Sequence, residues 1–121
     1  VKPPATEPVD LERGQIVFVD FGERGRAEVS FKRPAVVVTN NFANKYAPLI
    51  TVIPITSQGL DSIYPMQLLL PYTQTGLPRD AKAQVELVGQ IRKDRIVRPL
   101  GRLSAELLAE LDRRIREHLA L

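Results

Sequence analysis

Three polar positions interrupt strongly apolar stretches of this chain, and chemistry would sit there. Arg33 stands directly before Pro34 and the run Ala35–Val36–Val37–Val38. Thr56 and Ser57 end the stretch that begins at Leu49, and Gln90, Ile91 and Arg92 end the one that begins at Ala83. Polar groups at strand ends make sites on small β-scaffolds, because the framework is rigid and the loops are open. Two basic segments accompany them. From Arg24 to Arg33 there are four basic residues against one acid, Glu28; from Arg92 to Arg102 there are five against one, Asp94. Clusters of that sign suit a phosphate backbone. Each position also has a plainer reading. A residue before proline is commonly a strand entrance, Thr is a good strand former, and charged runs are commonly solvated surface.

What is missing narrows the chemistry further. The 121 residues include no Cys and one His, His118. Disulfide scaffolds, Cys-ligated zinc, iron–sulfur clusters, thiol nucleophiles and a His pair within one chain are therefore excluded. No glycine-rich phosphate or dinucleotide loop occurs, and no acids stand at metal spacing. His118 reads as a surface histidine near a helix C-terminus. Any reaction is expected to run without metal and without cofactor. There is no apolar run long enough to cross a membrane and no secretory leader pattern, so a cytoplasmic protein is expected.

The elements that position these groups can be read from periodicity. The length fits one domain. Residues 1–10 carry Pro3, Pro4 and Pro8 without periodicity and read as a flexible N-terminal arm, which leaves 11–121 as a single unit. Strand-like runs lie at 15–21, 35–39, 49–56, 66–70 and 83–91. The second is apolar throughout, as a strand buried on both faces would be. Pro54 predicts a bulge or an edge position in the third, and Gly89 interrupts the fifth. Ser104 is a good N-cap for a 3.6-period stripe of Leu107, Leu108, Leu111, Ile115 and Leu119, which predicts a helix over 105–120. Shorter helical turns are predicted near 41–46 and 93–97. The fold class is mainly β (a β-rich α+β arrangement), with a small barrel or strongly bent sheet and a C-terminal α-helix.

Six segments, in order, then carry a resemblance. Arg13–Gly14–Gln15–Ile16–Val17–Phe18–Val19–Asp20 resembles the R-G-D-[IV]-[VW]-x-[VA]-D opening of the MazF/PemK family of toxin endoribonucleases. Arg33–Pro34–Ala35–Val36–Val37–Val38 is similar to that family's R-P-[AV]-[LV]-V-[LIV] strand, and Asn41–Phe42–Ala43–Asn44–Lys45 to its N-D-x-x-N-[RK] turn. Pro54–Ile55–Thr56–Ser57 resembles P-[IL]-T-[ST]. Gln90–Ile91–Arg92 with Asp94–Arg95–Ile96 resembles a shortened Q-I-R-T-[VI]-D-[KR]. Leu100–Gly101–Arg102–Leu103–Ser104 is similar to L-G-x-[LV]-[ST]. Each motif alone is weak; six in register over 11–121 are specific.

The resemblance implies an SH3-like β-barrel of the CcdB/PemK type, usually a homodimer, that cuts single-stranded RNA at short sequences. It implies metal-independent attack of a 2′-oxygen on phosphorus, giving 2′,3′-cyclic phosphate and 5′-hydroxyl ends. It also implies a cognate antitoxin as partner, and no DNA binding by the toxin alone. The catalytic pair maps onto Arg33 and Thr56. A guanidinium forks onto two phosphate oxygens, and a β-branched hydroxyl is held in a fixed rotamer. Expected RNA contacts are Arg26, Lys32, Ser57, Tyr64, Gln90, Arg92 and Lys93. Loops 22–32 and 57–65 are the expected base readers, with Phe31 and Tyr64 as stacking platforms or as plain packing.

Two departures from the family pattern bear on the general base. Glu28 keeps its distance from Arg33 but lacks the flanking second glycine; it is a base candidate or an ion-pair partner of Arg26 or Lys32. Gly89 stands where family members often carry an acid. Glu86, three residues before it, faces the opposite side from Gly89 on strand alternation and is not taken as its replacement. Two other readings accompany the nuclease: a catalytically weak RNA-binding module, and a protein-targeting toxin of the same fold, as the gyrase poisons are.

Overall fold

The computed structural model describes residues 10–23 and 30–121. Arg26, Glu28 and nearly all of the N-terminal arm lie outside the described residues. Seven strands form one antiparallel sheet: β1 (Gln15–Glu23), β2 (Ser30–Val37), β3 (Leu49–Thr56), β4 (Gln67–Leu70), β5 (Ala81–Gln84), β6 (Gly89–Arg92) and β7 (Ile96–Arg102). Helix α1 (Asn41–Tyr46) joins β2 to β3, and α2 (Ala105–Leu119) ends the chain. The sheet order is β4-β5-β3-β2-β1-β7, with β6 also paired to β3.

β3 organises the sheet. One edge pairs with β2. The other pairs first with β6, from Leu49↔Arg92 to Val52↔Gly89, and then with β5, through Ile55↔Ala83 and Thr56↔Lys82. Pro54, which has no N–H to give, stands at this change of partner. Pro54 makes no bulge against β2, where Ala35↔Pro54 is the last pair of an unshifted register, but on the other side it lies in the gap between the β6 and β5 ladders, a local edge inside a buried strand. The predicted strand 83–91 is split. The 3₁₀ turn Val85–Leu87 breaks it, and its halves are β5 and β6. Only the turn Lys93–Arg95 separates β6 from β7, so the two ends of the run β7-β1-β2-β3-β6 are joined by chain. The sheet wraps in the SH3-like manner without a closing ladder.

Alternation sends side chains to two cores. Ile16, Val36, Ile53, Ile55, Leu68 and Leu70 pack under Leu103, Leu107 and Leu111 of the α2 region. Val17, Val19, Ala35, Val37, Ile50 and Val52 fill the wrapped face, closed by Phe21, Ile91 and Ile96. Ala35, Val36 and Val37 of β2 are buried on both faces, which is why that end of the strand is apolar. Ser104 caps α2 as predicted, its Oγ accepting the Leu107 N–H at 3.2 Å. The segments around Arg13 and Asn41 are scaffold. Arg13 pairs with Asp112 of α2 at 2.7 Å, its N–H donates to Asn41 Oδ1, and buried Asn44 donates to the Thr39 carbonyl.

Candidate active site

Three pairs fix the register of β2 against β3: Ala35↔Pro54, Val36↔Ile53 and Val37↔Val52. The ladder ends at Ala35↔Pro54: Arg33 lies two residues before Ala35, where it pairs with Val19 of β1, and Thr56 lies two residues after Pro54, where it pairs with Lys82 of β5. Alternation puts both on the wrapped face, at the end where the apolar core gives out. Arg33 is half-buried. Its Nη1 donates to Gln84 Oε1 at 3.4 Å, and its guanidinium lies over the Phe31 ring, 4.4 Å from the centroid. Phe31 packs in turn against Phe21, with centroids 5.9 Å apart. Thr56 is 8% exposed, and its Oγ1 accepts the Gln58 N–H at 3.1 Å. A hydroxyl oxygen that accepts in this way still carries one hydrogen to donate. Ser57 follows it on the exposed surface.

Strands β4 and β5 add polar groups that sequence reasoning did not select. Gln67 pairs with Gln84 across the ladder, donates through Nε2 to Glu86 Oε2 at 3.0 Å, and accepts the Tyr64 N–H at 3.2 Å. Glu86 Oε1 is buried without a hydrogen-bond partner. Glu86 belongs to the 3₁₀ turn, so strand alternation does not carry through to it. Its carboxylate reaches the Gln67–Gln84 pair instead of pointing away from the site. Lys82, across the ladder from Thr56, is buried. The signal was present in Ala81–Lys82–Ala83–Gln84: small apolar residues face one core, and the long polar ones share the opposite face.

A second cluster lies along the β1–β6 side. Asp20, Phe21, Gln90, Ile91, Arg92 and Arg95 line a shallow pocket of about 210 Å³. The rings of Phe21 and Phe31 connect it to Arg33. Arg92 is paired with Asp94 at 3.0 Å. Lys93 is half-buried, and that desolvation lowers its ammonium pKa below the ordinary lysine value. Lys32 is exposed across the ladder from Asp20, on the strand face opposite Arg33. Tyr64 is 57% exposed at the end of loop 57–65. A larger hollow of about 400 Å³ between Tyr64 and α2 contains neither Arg33 nor Thr56. Among the described residues, no three His, Asp or Glu side chains gather at one point.

Residues 12–119 match the family model for the PemK-like, MazF-like toxin of type II toxin–antitoxin systems. The chain belongs to the PemK-like, MazF-like toxin family. It is 44% identical over 116 residues to Endoribonuclease MazF9 of Mycobacterium tuberculosis (strain ATCC 25618 / H37Rv), across 92% of this chain and 98% of that one. It is 26% identical over 111 residues to Endoribonuclease EndoA of Bacillus subtilis (strain 168), across 92% and 96%. Among solved structures, a MazE–MazF crystal structure (Form-II) from Deinococcus radiodurans superposes with a TM-score of 0.77 at 22% identity, covering 93% and 98%. A mycobacterial endoribonuclease in complex with its cognate antitoxin gives 0.71 at 17%, covering 93% and 95%. These structures establish the fold shared with the MazF-like toxins: the expected bent, mostly antiparallel sheet with a C-terminal helix.

Proposed function

We propose that this protein is a sequence-selective endoribonuclease toxin that cleaves single-stranded RNA without metal or cofactor. The observation that carries the reading is that Arg33 and Thr56 both adjoin the polar face of β5, Arg33 through Gln84 and Thr56 through Lys82, beside an aromatic and basic strip. The likeness to proteins named endoribonucleases supports it.

The site's own groups account for transesterification. The 2′-oxygen attacks phosphorus as its proton passes to a carboxylate, the bond from phosphorus to the 5′-oxygen breaks, and that oxygen takes a proton from water. Products are a 2′,3′-cyclic phosphate and a 5′-hydroxyl. Arg33 forks onto the non-bridging oxygens, whose charge grows in the transition state; a donor of this kind contributes roughly 3–4 kcal/mol. The Thr56 hydroxyl donates to a phosphoryl oxygen or orients the 2′-hydroxyl. A carboxylate receives the proton, and Glu28 is the candidate on the family pattern.

Single-stranded RNA passes Phe31, Phe21 and the Gln90–Arg92–Lys93 cluster, with Arg26, Lys32, Ser57 and Tyr64 at its flanks. The active form is a homodimer in the cytoplasm, held silent by a cognate antitoxin. No described helix is long and apolar enough to cross a membrane. Leu69, Leu87 and Val97 offer exposed apolar surface to a second copy or to the antitoxin. The test is incubation with mixed-sequence RNA and mapping of the ends. Cyclic-phosphate ends at a short recurring sequence support the proposal. Binding without cleavage would instead make the chain an RNA-binding module, and no contact with RNA at all would favour a protein target.

A further inference from the structure

Lys82 is the one charged side chain in the buried class among the described residues, at 6% exposure. It stands on β5 between Thr56 and Leu69, its neighbours across the two ladders. Its ammonium reaches loop 57–65, where it donates to the Gly59 carbonyl at 2.9 Å and the Ser62 carbonyl at 3.0 Å. Among the described residues, no carboxylate pairs with it. An apolar side chain would pack against Leu69 without desolvating a charge. What the ammonium adds is therefore directed at the loop.

The loop is built to receive it. Gly59 has φ of +65°, a conformation L side chains rarely adopt, and an added Cβ would lie 3.4 Å from Lys82 Nζ. The Gly59 carbonyl also accepts the Ser62 N–H at 3.3 Å. The loop begins at Thr56, whose Oγ1 holds the Gln58 N–H, and ends at Tyr64, whose N–H is held by Gln67. The Tyr64 ring centroid is 6.0 Å from the same ammonium. Beyond it, Arg114 of α2 donates to the carbonyls of Pro65 and Gln67.

We propose that Lys82 is a positioning residue for substrate selection. It fixes the span between the Thr56 hydroxyl and the Tyr64 ring, and so decides which base beside the cleaved bond can stack. This rests on the nuclease reading above. Lys82 acts through the loop and not on phosphorus, so its loss should alter discrimination before chemistry.

The experiment measures kcat and KM on RNA oligonucleotides that vary each base flanking the cleaved bond. It compares wild type, Lys82→Met, Lys82→Arg, Tyr64→Ala and the Lys82→Met/Tyr64→Ala double variant. Lys82→Met should raise KM for the preferred RNA and flatten base preference, each by about tenfold, the scale of one lost base–aromatic stack. Its kcat should stay within about threefold of wild type. Lys82→Arg should keep part of the preference, since a guanidinium also donates to carbonyls. Tyr64→Ala should flatten preference alike, and the double variant should lose little more. Unchanged preference in Lys82→Met, or a fall in kcat with preference intact, overturns the proposal. If Lys82→Met does not fold, intact preference in exposed Tyr64→Ala overturns it equally. A wild-type protein that cleaves no RNA sinks the nuclease reading itself, and this inference with it.

Discussion

The guanidinium of Arg33 meets the side-chain carbonyl of Gln84 at 3.4 Å, a long contact that joins β2 to β5 across the end of β3. Gln84 is in turn aligned with Gln67, which holds Glu86. The Gln84 carbonyl thus fixes one arm of the fork proposed to grip the phosphate.

Gln84→Leu should therefore slow single-turnover cleavage by about two- to tenfold, the worth of one ordinary hydrogen bond. Binding of an uncleavable 2′-deoxy substrate should change little. Rates at wild-type level would make Gln84 a bystander.

Affinity for RNA should fall steeply with salt through the Arg92–Arg95 turn. Each phosphate contact removed by Lys93→Ala or Arg95→Ala should lower the log–log salt slope by about 0.7. Desolvation lowers the Lys93 pKa below the usual 10.5, and the side chain takes a share of binding only while it is charged. That share should fade, as pH rises, before that of the exposed lysines. An unchanged slope would put this turn outside the RNA path.

Cleavage should persist in EDTA and gain nothing from Mg²⁺ or Mn²⁺. The chain offers no Cys and a single His, which is exposed on the last turn of α2. Loss of cleavage on chelation, restored by a divalent ion, would contradict the mechanism.

Gly101→Ala tests the packing of β7 against the 72–76 segment. A Cβ there would come within 2.2 Å of the Thr75 carbonyl oxygen, the same atom that accepts the Arg102 N–H at 3.0 Å. Backbone must shift, and the cost should be about 1–3 kcal/mol in denaturant unfolding. Unaltered stability would mean that the 72–76 segment yields freely.

The sequence disclosed elements where local pattern and burial agree. A Ser cap and a 3.6-period leucine stripe predict helix 105–120, and the chain is helical from Ala105 to Leu119. β7 was illegible because it breaks the strand rules: it contains Pro99 and Gly101, is exposed over much of its length, and pairs with β1 through two register shifts. Its arginines read as a basic segment. Arg98 in fact lies over the Phe18 ring, and Arg102 is paired with Glu12. Arg33 and Thr56 stand out because one precedes and the other ends an apolar run, and the resemblance supplies their expected roles. Lys82 and Gln84 alternate with alanines in a short strand that 83–91 cuts across, and Glu86 was illegible because that stretch reads as one strand unless the 3₁₀ turn at Val85 is known. Tertiary pairing to β3 sets that turn, and no local propensity announces it.

The central claim is that Arg33 acts on the transition state. Its most direct test is single-turnover cleavage by Arg33→Ala, measured beside binding of a 2′-deoxy substrate. The rate should fall by roughly 10²–10³-fold while affinity changes far less. Arg33→Lys should not restore it, because the charge survives without the fork, whereas Thr56→Ser should keep part of the rate that Thr56→Ala loses. Cleavage by Arg33→Ala at near wild-type rate, or a loss confined to affinity, would contradict the account and leave Arg33 as a strand-entrance residue.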